Sequence, residues 1–260
     1  MRITLTVVLL GLVTMCNALA QSAVNSELAP HGKLRVAMIG ANPVLVTKNP
    51  VGTLGGISVE LGKMIATRLG ARLVPVVYSS PETYTQSFGR GEWDIAIGPR
   101  RASDADKVDA SPDFMLVDNV YIAAPGKEFP DATSVDQSGV KIAVAQGGAP
   151  DKFLTVKLKS ATLVRVPGQV HDAVEVLRTH GADVYGSNGE FVYAIAEKLP
   201  GAKVVPGAFT TVHMAVLMPK GKSTAAQSRI AAIVREAIVA GLPRRAIERQ
   251  NLKGVRPTIN

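Results

Sequence analysis

Gly91-Glu92-Trp93-Asp94-Ile95 ends one helix-to-strand step in this sequence, and Gly181-Ala182-Asp183-Val184 ends a second. In each stretch a glycine stands where a helix is expected to stop, and an aspartate comes just before an apolar strand. Glycine and aspartate are common at such junctions, so the similarity of the two stretches is informative only together with the pattern around them. Working outward from both stretches, we find the same theme of strand and helix on either side of residue 120.

The theme is a short apolar strand, a loop and an amphipathic helix. The predicted strands are 34–39, 73–78 and 94–98 in the first half, and 140–145, 161–166 and 182–185 in the second. Helical spacing follows most of them, and Ser80 before Pro81 is typical of a helix start. Strands that alternate with helices predict parallel sheets covered on both faces, which is an α/β fold.

The two series predict two similar lobes. We assign 1–20 to a signal peptide, 21–119 to the first part of lobe 1 and 120–211 to lobe 2. An apolar strand at 212–218 and a helix from about 223 to 240 follow, and we expect 212–260 to return to lobe 1. Two crossings would form a hinge, with a ligand cleft between the lobes.

The first 20 residues have the pattern of a secretory signal peptide. Arg2 provides the positive start, 3–13 is almost continuously apolar, and Ala18-Leu19-Ala20 fits a small-x-small cleavage pattern. We expect cleavage after Ala20 and a periplasmic protein. Cleavage would remove Cys16, the single cysteine, so we expect no disulfide.

Composition limits the function classes. Hydrophobic residues make up 47% of the chain and charged residues 19%, which is typical of a globular protein. The net charge of +8 is scattered along the chain, with no interleaving of aromatic and basic residues, so we expect no nucleic-acid partner. No second long apolar run predicts a membrane span, and the four histidines show no metal-ligand spacing. We expect neither a metal nor a cofactor.

At this point the chain resembles the family 3 periplasmic solute-binding proteins. The resemblance rests on segments that occur in the family's order over nearly all of the chain beyond the signal: Gly32-Lys33-Leu34-Arg35-Val36-Ala37, Gly56-Ile57-Ser58-Val59-Glu60-Leu61, Gly91-Glu92-Trp93-Asp94-Ile95, Lys107-Val108-Asp109-Ala110-Ser111 and Gly139-Val140-Lys141-Ile142-Ala143-Val144-Ala145-Gln146-Gly147-Gly148. It implies the two-lobed type II periplasmic-binding fold, with two hinge crossings and a cleft. It also implies capture of a small molecule, a polar amino acid in most members.

The residues that hold an amino acid in that family do not transfer. The position of its carboxylate-binding arginine falls on Asp104 or Asp106, depending on the register. Its amino-group acceptor, a carboxylate, falls on Asn188. The aromatic stacking positions fall near Ala41 and Pro81. An ordinary amino acid would therefore leave its carboxylate without a strong partner, and a buried unpaired charge is costly.

Other residues remain as ligand candidates. Arg100 and Arg101 follow the Asp94 strand and could replace the missing arginine, or they are solvated surface residues. Unpaired amides of a glycine turn before Pro150 could hold an anion, or the turn only needs glycine. Asn188 could bond a neutral polar ligand, or cap a helix. The full predicted set is Asn42, Pro43, Gly98, Pro99, Arg100, Arg101, Gln146, Gly147, Gly148, Ala149 and Asn188.

The leading hypothesis is a monomeric, non-enzymatic protein that delivers a small polar or anionic solute to an inner-membrane ABC permease. The first alternative is an accessory or sensor protein that docks on an exported partner. The second is an enzyme, because a few members of this fold resemble dehydratases acting on cyclic acids. Asp104, Asp106 and Glu190 are the candidate acids, although we expect the loop with the first two to be solvated.

Overall fold

The computed structural model describes residues 21–40, 42 and 44–259, so the predicted signal peptide lies outside the described residues. Residues 21–28 are helical and form α1. Helices α2 to α8 are Ile57–Arg68, Pro81–Gln86, Ala149–Lys157, Val170–Arg178, Gly189–Lys198, Thr224–Val239 and Leu242–Gln250. Strands β1 to β13 are Lys33–Ile39, Thr47–Lys48, Leu54–Gly55, Arg72–Tyr78, Ile95–Pro99, Val108–Ala110, Met115–Ala123, Lys141–Ala145, Thr162–Val166, Val184–Asn188, Lys203–Val204, Thr210–Pro219 and Val255–Pro257. The predicted α/β class is confirmed.

The chain divides into two compact units. Unit 1 contains the described residues up to Met115, His213–Ala246 and the residues from Pro257 onward. Unit 2 contains Leu116–Val212 and Ile247–Arg256. The chain therefore changes unit inside β7 and β12, and twice more near its C-terminus.

The sheet of unit 1 has the order β4-β1-β5-β12. Strands β1, β4 and β5 are parallel, and β12 is antiparallel to β5, with Ala215 opposite Gly98. Of these three parallel strands, β1 comes first in the chain and is central. The next, β4, lies on one side of it, and β5 lies on the other. Helix α3 starts as expected at Pro81, with the Ser80 hydroxyl accepting a hydrogen bond from the Thr83 amide. An aromatic cluster that includes Tyr84, Phe88 and Trp93 packs in the core.

The sheet of unit 2 repeats this order. Strand β8 is central and parallel to both β9 and β10, and β7 is antiparallel to β10, giving β9-β8-β10-β7. Separate apolar clusters fill the two faces of this sheet, one that includes Tyr185 and Leu177, and another that includes Tyr121 and Leu154. Each unit is therefore a second-first-third set of parallel strands with one antiparallel strand, as the two similar series predict.

Asp94 and Asp183, the aspartates of the two similar stretches quoted at the start, make the same hydrogen bonds in their units. The Asp94 carboxylate accepts a hydrogen bond from the Arg35 amide at 2.8 Å, and the Asp94 amide donates to the Arg35 carbonyl at 2.9 Å. In unit 2, Asp183 makes both bonds to Lys141, each at 2.8 Å. Each aspartate thus joins the start of the third strand to the first, so the echo in the sequence has a structural cause.

The residues between α8 and Pro257 pack on unit 2. We call Leu252–Arg256 the C-terminal strap. The Gly254 carbonyl accepts a hydrogen bond from the Asp118 amide at 2.8 Å, and Arg256 forms an ion pair with Asp118 at 3.2 Å. A side chain at Gly189, the first residue of α6, would meet the Lys253 carbonyl oxygen at 2.5 Å. The expected return of all of 212–260 to lobe 1 therefore differs from the division by contacts, because the strap is bonded to unit 2.

Candidate functional site

In unit 1, the predicted ligand residues gather at one edge of the sheet. Because β1 and β5 are parallel neighbours, their carboxyl ends lie at the same edge. Asn42 follows β1, whereas Gly98 and Pro99 end β5 and Arg100 and Arg101 come directly after it. This is the edge at which open α/β sheets bind ligands. Pro43 lies outside the described residues.

Asn42 builds a turn after β1. Its side-chain oxygen accepts a hydrogen bond from the Val44 amide at 3.0 Å, and its carbonyl accepts from the Val46 amide at 2.9 Å. The side chain is half-buried. Its amide nitrogen keeps both donors for another partner, because only the oxygen takes part in the turn.

Gly98 lies against the hydroxyl of Tyr84. A Cβ at position 98 would meet the Tyr84 hydroxyl oxygen at 2.7 Å, so any larger residue would force Tyr84 to shift. Tyr84 is fully buried, and its hydroxyl has no hydrogen-bond partner among the described residues. Burial raises the pKa of Tyr84, so the group stays a neutral donor. Tyr84 is not among the predicted ligand residues, and its unpaired donor lies next to Gly98, which is.

Arg100 is paired with a carboxylate. Its Nε and one Nη donate to the two oxygens of Asp113, at 3.0 and 3.1 Å, and Asp113 also bonds Nδ1 of His213 at 2.6 Å. Burial would raise the pKa of Asp113, but hydrogen bonds from Arg100 and His213 outweigh it and hold that pKa below its usual value. The arginine is thus fixed in place, with its second Nη directed to no described acceptor.

Arg101 lies close to a buried acid. Its Nη1 donates to the Thr85 hydroxyl at 2.9 Å and lies 3.7 Å from the Asp104 carboxylate. Asp104 is only 6% exposed, and one of its carboxylate oxygens has no hydrogen-bond partner among the described residues. The expectation of a solvated loop is therefore wrong for Asp104. It turns inward as part of a short 3-10 helix, Ala102–Asp104.

In unit 2, the predicted residues also share one edge. The register pairs Tyr185 with Ala143, so Asn188 and Gln146 lie equally far along two neighbouring parallel strands. Gly147, Gly148 and Ala149 follow immediately, and α4 begins at Ala149. The loop after β8 and the end of β10 are thus brought together.

Three amides of this loop, those of Gln146, Gly147 and Gly148, are paired within the protein, which favours the alternative that the turn only needs glycine. Gln146 donates to the Val166 carbonyl at 3.0 Å and Gly148 to the Ala145 carbonyl at 3.1 Å. Gly147 donates to the carboxylate of Asp151 at 2.8 Å. Asp151 therefore takes a position that an external anion could have used.

A network of donors holds Asp151. Arg165 and Thr155 bond its carboxylate at 3.0 and 3.1 Å. Burial alone would raise its pKa, but the Gly147 amide, Thr155 and Arg165 lower it below the usual value. The carboxylate is therefore ionised at neutral pH and makes the loop less attractive to a solute anion.

Asn188 caps α6. Its side-chain oxygen accepts a hydrogen bond from the Phe191 amide at 3.0 Å. The interpretation as a helix cap is therefore correct for the oxygen, and the side-chain NH2 keeps its donors for another partner.

A partly open depression of about 340 Å³ lies elsewhere in unit 1. It is lined by Pro30, His31, Lys33, Arg35 and Asp94. Its residues lie at the amino ends of β1 and β5, the opposite edge from the predicted site. Arg35 and Asp94 bond one another there at 2.7 Å, so these two charges serve the fold.

The described residues contain neither a membrane-spanning helix nor a group of metal ligands. Among the helices of the described residues, none combines the length and apolar character needed to span a bilayer. Within the same part of the chain, no three His, Cys, Asp or Glu side chains are grouped so that they could hold a metal ion.

No protein-family model matches the chain. A curated relative, cyclohexadienyl dehydratase of Pseudomonas aeruginosa, is 27% identical over 165 residues, which is 62% of this chain. The match spans 61% of the relative's own length.

Solved structures give a broader match. ArgBP from T. maritima, as a P235GK mutant, has a TM-score of 0.62 at 21% identity and covers 88% of this chain and 99% of its own. An ancestral amino acid-binding protein, described as a precursor of cyclohexadienyl dehydratase, has a TM-score of 0.65 at 17% identity, with coverages of 87% and 98%. A solute receptor for L-cysteine from Neisseria gonorrhoeae has a TM-score of 0.62 at 16% identity, with coverages of 88% and 92%. The chain has the two-lobed type II fold of the periplasmic solute-binding proteins, as its sequence resemblance implied.

Proposed function

We propose that this protein is an exported, non-enzymatic solute-binding protein that captures a small polar or anionic metabolite in the periplasm for an ABC importer. One observation carries the proposal: each unit collects its predicted ligand residues at the carboxyl edge of a parallel sheet. Asn42 and Gly98 to Arg101 do so in unit 1, and Gln146 to Ala149 and Asn188 do so in unit 2. The structural neighbours support it, since their descriptions name arginine-bound and L-cysteine-binding proteins.

The polar groups left available at these edges define the solute. Arg100 and Arg101 lie close to Asp113 and Asp104, so their charges are largely balanced. The remaining groups are neutral amides, those of Asn42 and Asn188. A solute with several hydrogen-bonding groups and at most a weak negative charge fits them, and a standard zwitterionic amino acid fits less well.

The test begins with protein purified from periplasm without dialysis. Mass spectrometry of the compound released on denaturation identifies the solute, and calorimetric titration then measures its affinity. We expect Asn42→Ala and Asn188→Ala each to weaken binding about fivefold to tenfold, because each removes one hydrogen bond. Lys33→Ala, in the depression at the opposite edge, is the control and should leave affinity unchanged. The proposal fails if no released compound and no metabolite in a broad panel produces heat or a melting shift.

One observation favours a second function. Asp104 is a buried acid with an unpaired oxygen, close to Arg101, and the curated relative is a dehydratase. A carboxyl group in that setting could transfer a proton to a bound cyclic acid. Turnover of a cyclohexadienyl carboxylic acid that is lost in Asp104→Asn and kept in Asp106→Asn, the exposed aspartate of the same loop, would establish this alternative. We propose that no such turnover occurs.

A further inference from the structure

Asn119 is a buried amide without a partner. It is 4% exposed, and its side chain forms no hydrogen bond with any described residue. On β7 it shares a face with Val117 and Tyr121, which are both buried. The described side chains whose polar atoms are both unpartnered and sealed from solvent do not include Asn119, so its carboxamide can still be reached. Since no described residue pairs with this carboxamide, its hydrogen bonds are open to water or to the polar group of a solute.

Asn119 lies beside a residue of the candidate site. The antiparallel register of β7 and β10 places Asn119 directly opposite Asn188. Residues paired in this way project from the same face, with Cβ atoms about 4.5–5.5 Å apart. Two carboxamides are therefore side by side at the carboxyl end of β10. The Asn188 oxygen is already bonded to the Phe191 amide, so this residue offers its NH2 group.

The surroundings of the pair favour an acceptor. Helix α6 begins at Gly189, and the first amides of a helix carry partial positive charge without partners inside the helix. Glu190, the acid of this first turn, accepts a hydrogen bond from the Lys253 amide of the C-terminal strap. The other nearby acid, Asp118, is the neighbour of Asn119 on the opposite face of β7 and is bonded to Thr211 and Arg256. An ammonium group would thus meet the Asn188 NH2 group and a positive helix end, and the Asn119 oxygen would be its single acceptor in the pair.

We propose that Asn119 and Asn188 form a subsite for the hydrogen-bond-accepting end of the solute, a carboxylate or carbonyl group, and that the subsite excludes an ammonium group. This inference rests on the proposed function and deepens it, because it assigns a polarity to the solute. Asn119 is the new contact. The solute then binds with its acceptor group against the two side-chain NH2 groups. It does not need the α-amino group of an amino acid.

The experiment uses acetate and methylammonium as probes of the two charge types. In ¹⁵N-labelled protein, the side-chain NH2 signals of Asn119 and Asn188 are assigned by their loss in Asn119→Leu and Asn188→Ser. We expect acetate to shift both signals in a saturable manner and methylammonium to shift neither. The side-chain NH2 of Gln137 is the internal control, because it is already bonded to Ser134 and precedes the amino end of β8. Shifts with methylammonium, or none with acetate, would overturn the proposal.

A charge substitution tests the polarity without breaking the fold. Aspartate caps a helix as well as asparagine does, so Asn188→Asp keeps the bond to Phe191. We expect it to weaken acetate binding about tenfold or more and to introduce binding of methylammonium. Unchanged preference in this variant contradicts the subsite. A protein that binds its own solute in calorimetry but ignores acetate refutes the subsite alone, whereas acetate binding without any solute refutes the proposed function alone.

Discussion

At the residue scale, the hydroxyl of Tyr84 is a source of instability. It is fully buried without a hydrogen-bond partner in the described part of the chain, whereas its ring packs edge-on against Phe88 at 5.2 Å between centroids. Tyr84→Phe keeps the ring contacts and removes the unpaired group, so we expect the free energy of unfolding to rise by about 1 kcal/mol. Urea denaturation followed by Trp93 fluorescence measures it, since this single tryptophan belongs to the same aromatic cluster.

Tyr78→Phe is the matched control for that variant. The Tyr78 hydroxyl donates to Glu92 at 2.6 Å, so its removal loses a hydrogen bond and should not stabilise the protein. If Tyr84→Phe lowers stability instead, the Tyr84 hydroxyl has a partner, and a bound water becomes the explanation to test.

Gly98 and Tyr84 are coupled by the same contact. A methyl group at position 98 lies 2.7 Å from the hydroxyl oxygen and 3.0 Å from the adjoining ring carbon. We expect Gly98→Ala to cost about 1–3 kcal/mol by overpacking. In the Tyr84→Phe background the cost should fall by about 0.5 kcal/mol or more, because the closest atom is gone. A double-mutant cycle in urea measures this coupling, and strict additivity would show that the ring, not the hydroxyl, requires glycine.

Sequence reasoning reached part of the site at this scale. It placed Asn42, Gly98 and Asn188 at or just after the carboxyl ends of strands, as the structure does, because strand ends can be read from apolar runs followed by polar or glycine residues. It missed Asn119, since it predicted no strand across 115–123. A period-two reading of that segment would have placed a polar side chain on the buried face with Val117 and Tyr121. The Asp113 and Asp151 pairings depend on side-chain positions in three dimensions, which no local pattern records.

At the element scale, the C-terminal strap is fixed to α6 by close backbone packing. Gly189→Ala would place a methyl group 2.5 Å from the Lys253 carbonyl oxygen and 2.6 Å from the Gly254 Cα, and neither backbone atom can rotate away. We expect the strap to detach, with a loss of about 1–3 kcal/mol and faster hydrogen exchange at residues 252–256. Hydrogen-exchange mass spectrometry of the C-terminal peptide is the measurement.

Gly168→Ala serves as the comparison for the strap. A Cβ there has its nearest neighbour at 3.5 Å, an ordinary contact, so exchange in the strap should not change. Equal exchange in wild type and Gly189→Ala would mean that the strap does not depend on α6.

The elements themselves were largely predictable. The expected strands 34–39, 73–78 and 161–166 are observed within one residue at each end, and the long helix expected from about 223 to 240 is α7. Their apolar runs are long, and glycine or serine marks their ends. Helix α8 and the strap were not predicted, because Leu242–Gln250 is rich in arginine and contains few apolar residues. Their placement depends on backbone contacts with Gly189 and Asp118, which lie far away in the sequence.

At the scale of the whole molecule, stability depends on carboxylates that are bonded in the folded chain. Asp113 in unit 1 and Asp151 and Asp183 in unit 2 all have pKa values below the usual 3.8. In Asp136, hydrogen bonds from the amide of Ala161 and then of Ser160 and Lys159 lower the pKa against the effect of burial. Each group is deprotonated over a wider pH range in the folded state than in the unfolded chain.

The direction of the pH effect follows from proton counting. Between the lowered pKa of the folded state and the ordinary pKa of the unfolded state, the unfolded chain binds more protons, so stability rises with pH. The contribution is complete above about pH 5 and is lost as the pH falls below about 4 through the folded pKa values. We expect the urea midpoint to be flat from pH 6 to 8 and to fall steeply in acid, as circular dichroism can measure. Asp136→Asn should reduce that acid slope, because it removes one of the titrating groups. Its midpoint at pH 7 gives the cost of the substitution itself. An acid slope unchanged by Asp136→Asn would mean that this carboxylate keeps the same bonds when the chain is unfolded, and that the three amides of residues 159–161 owe their order to something other than Asp136.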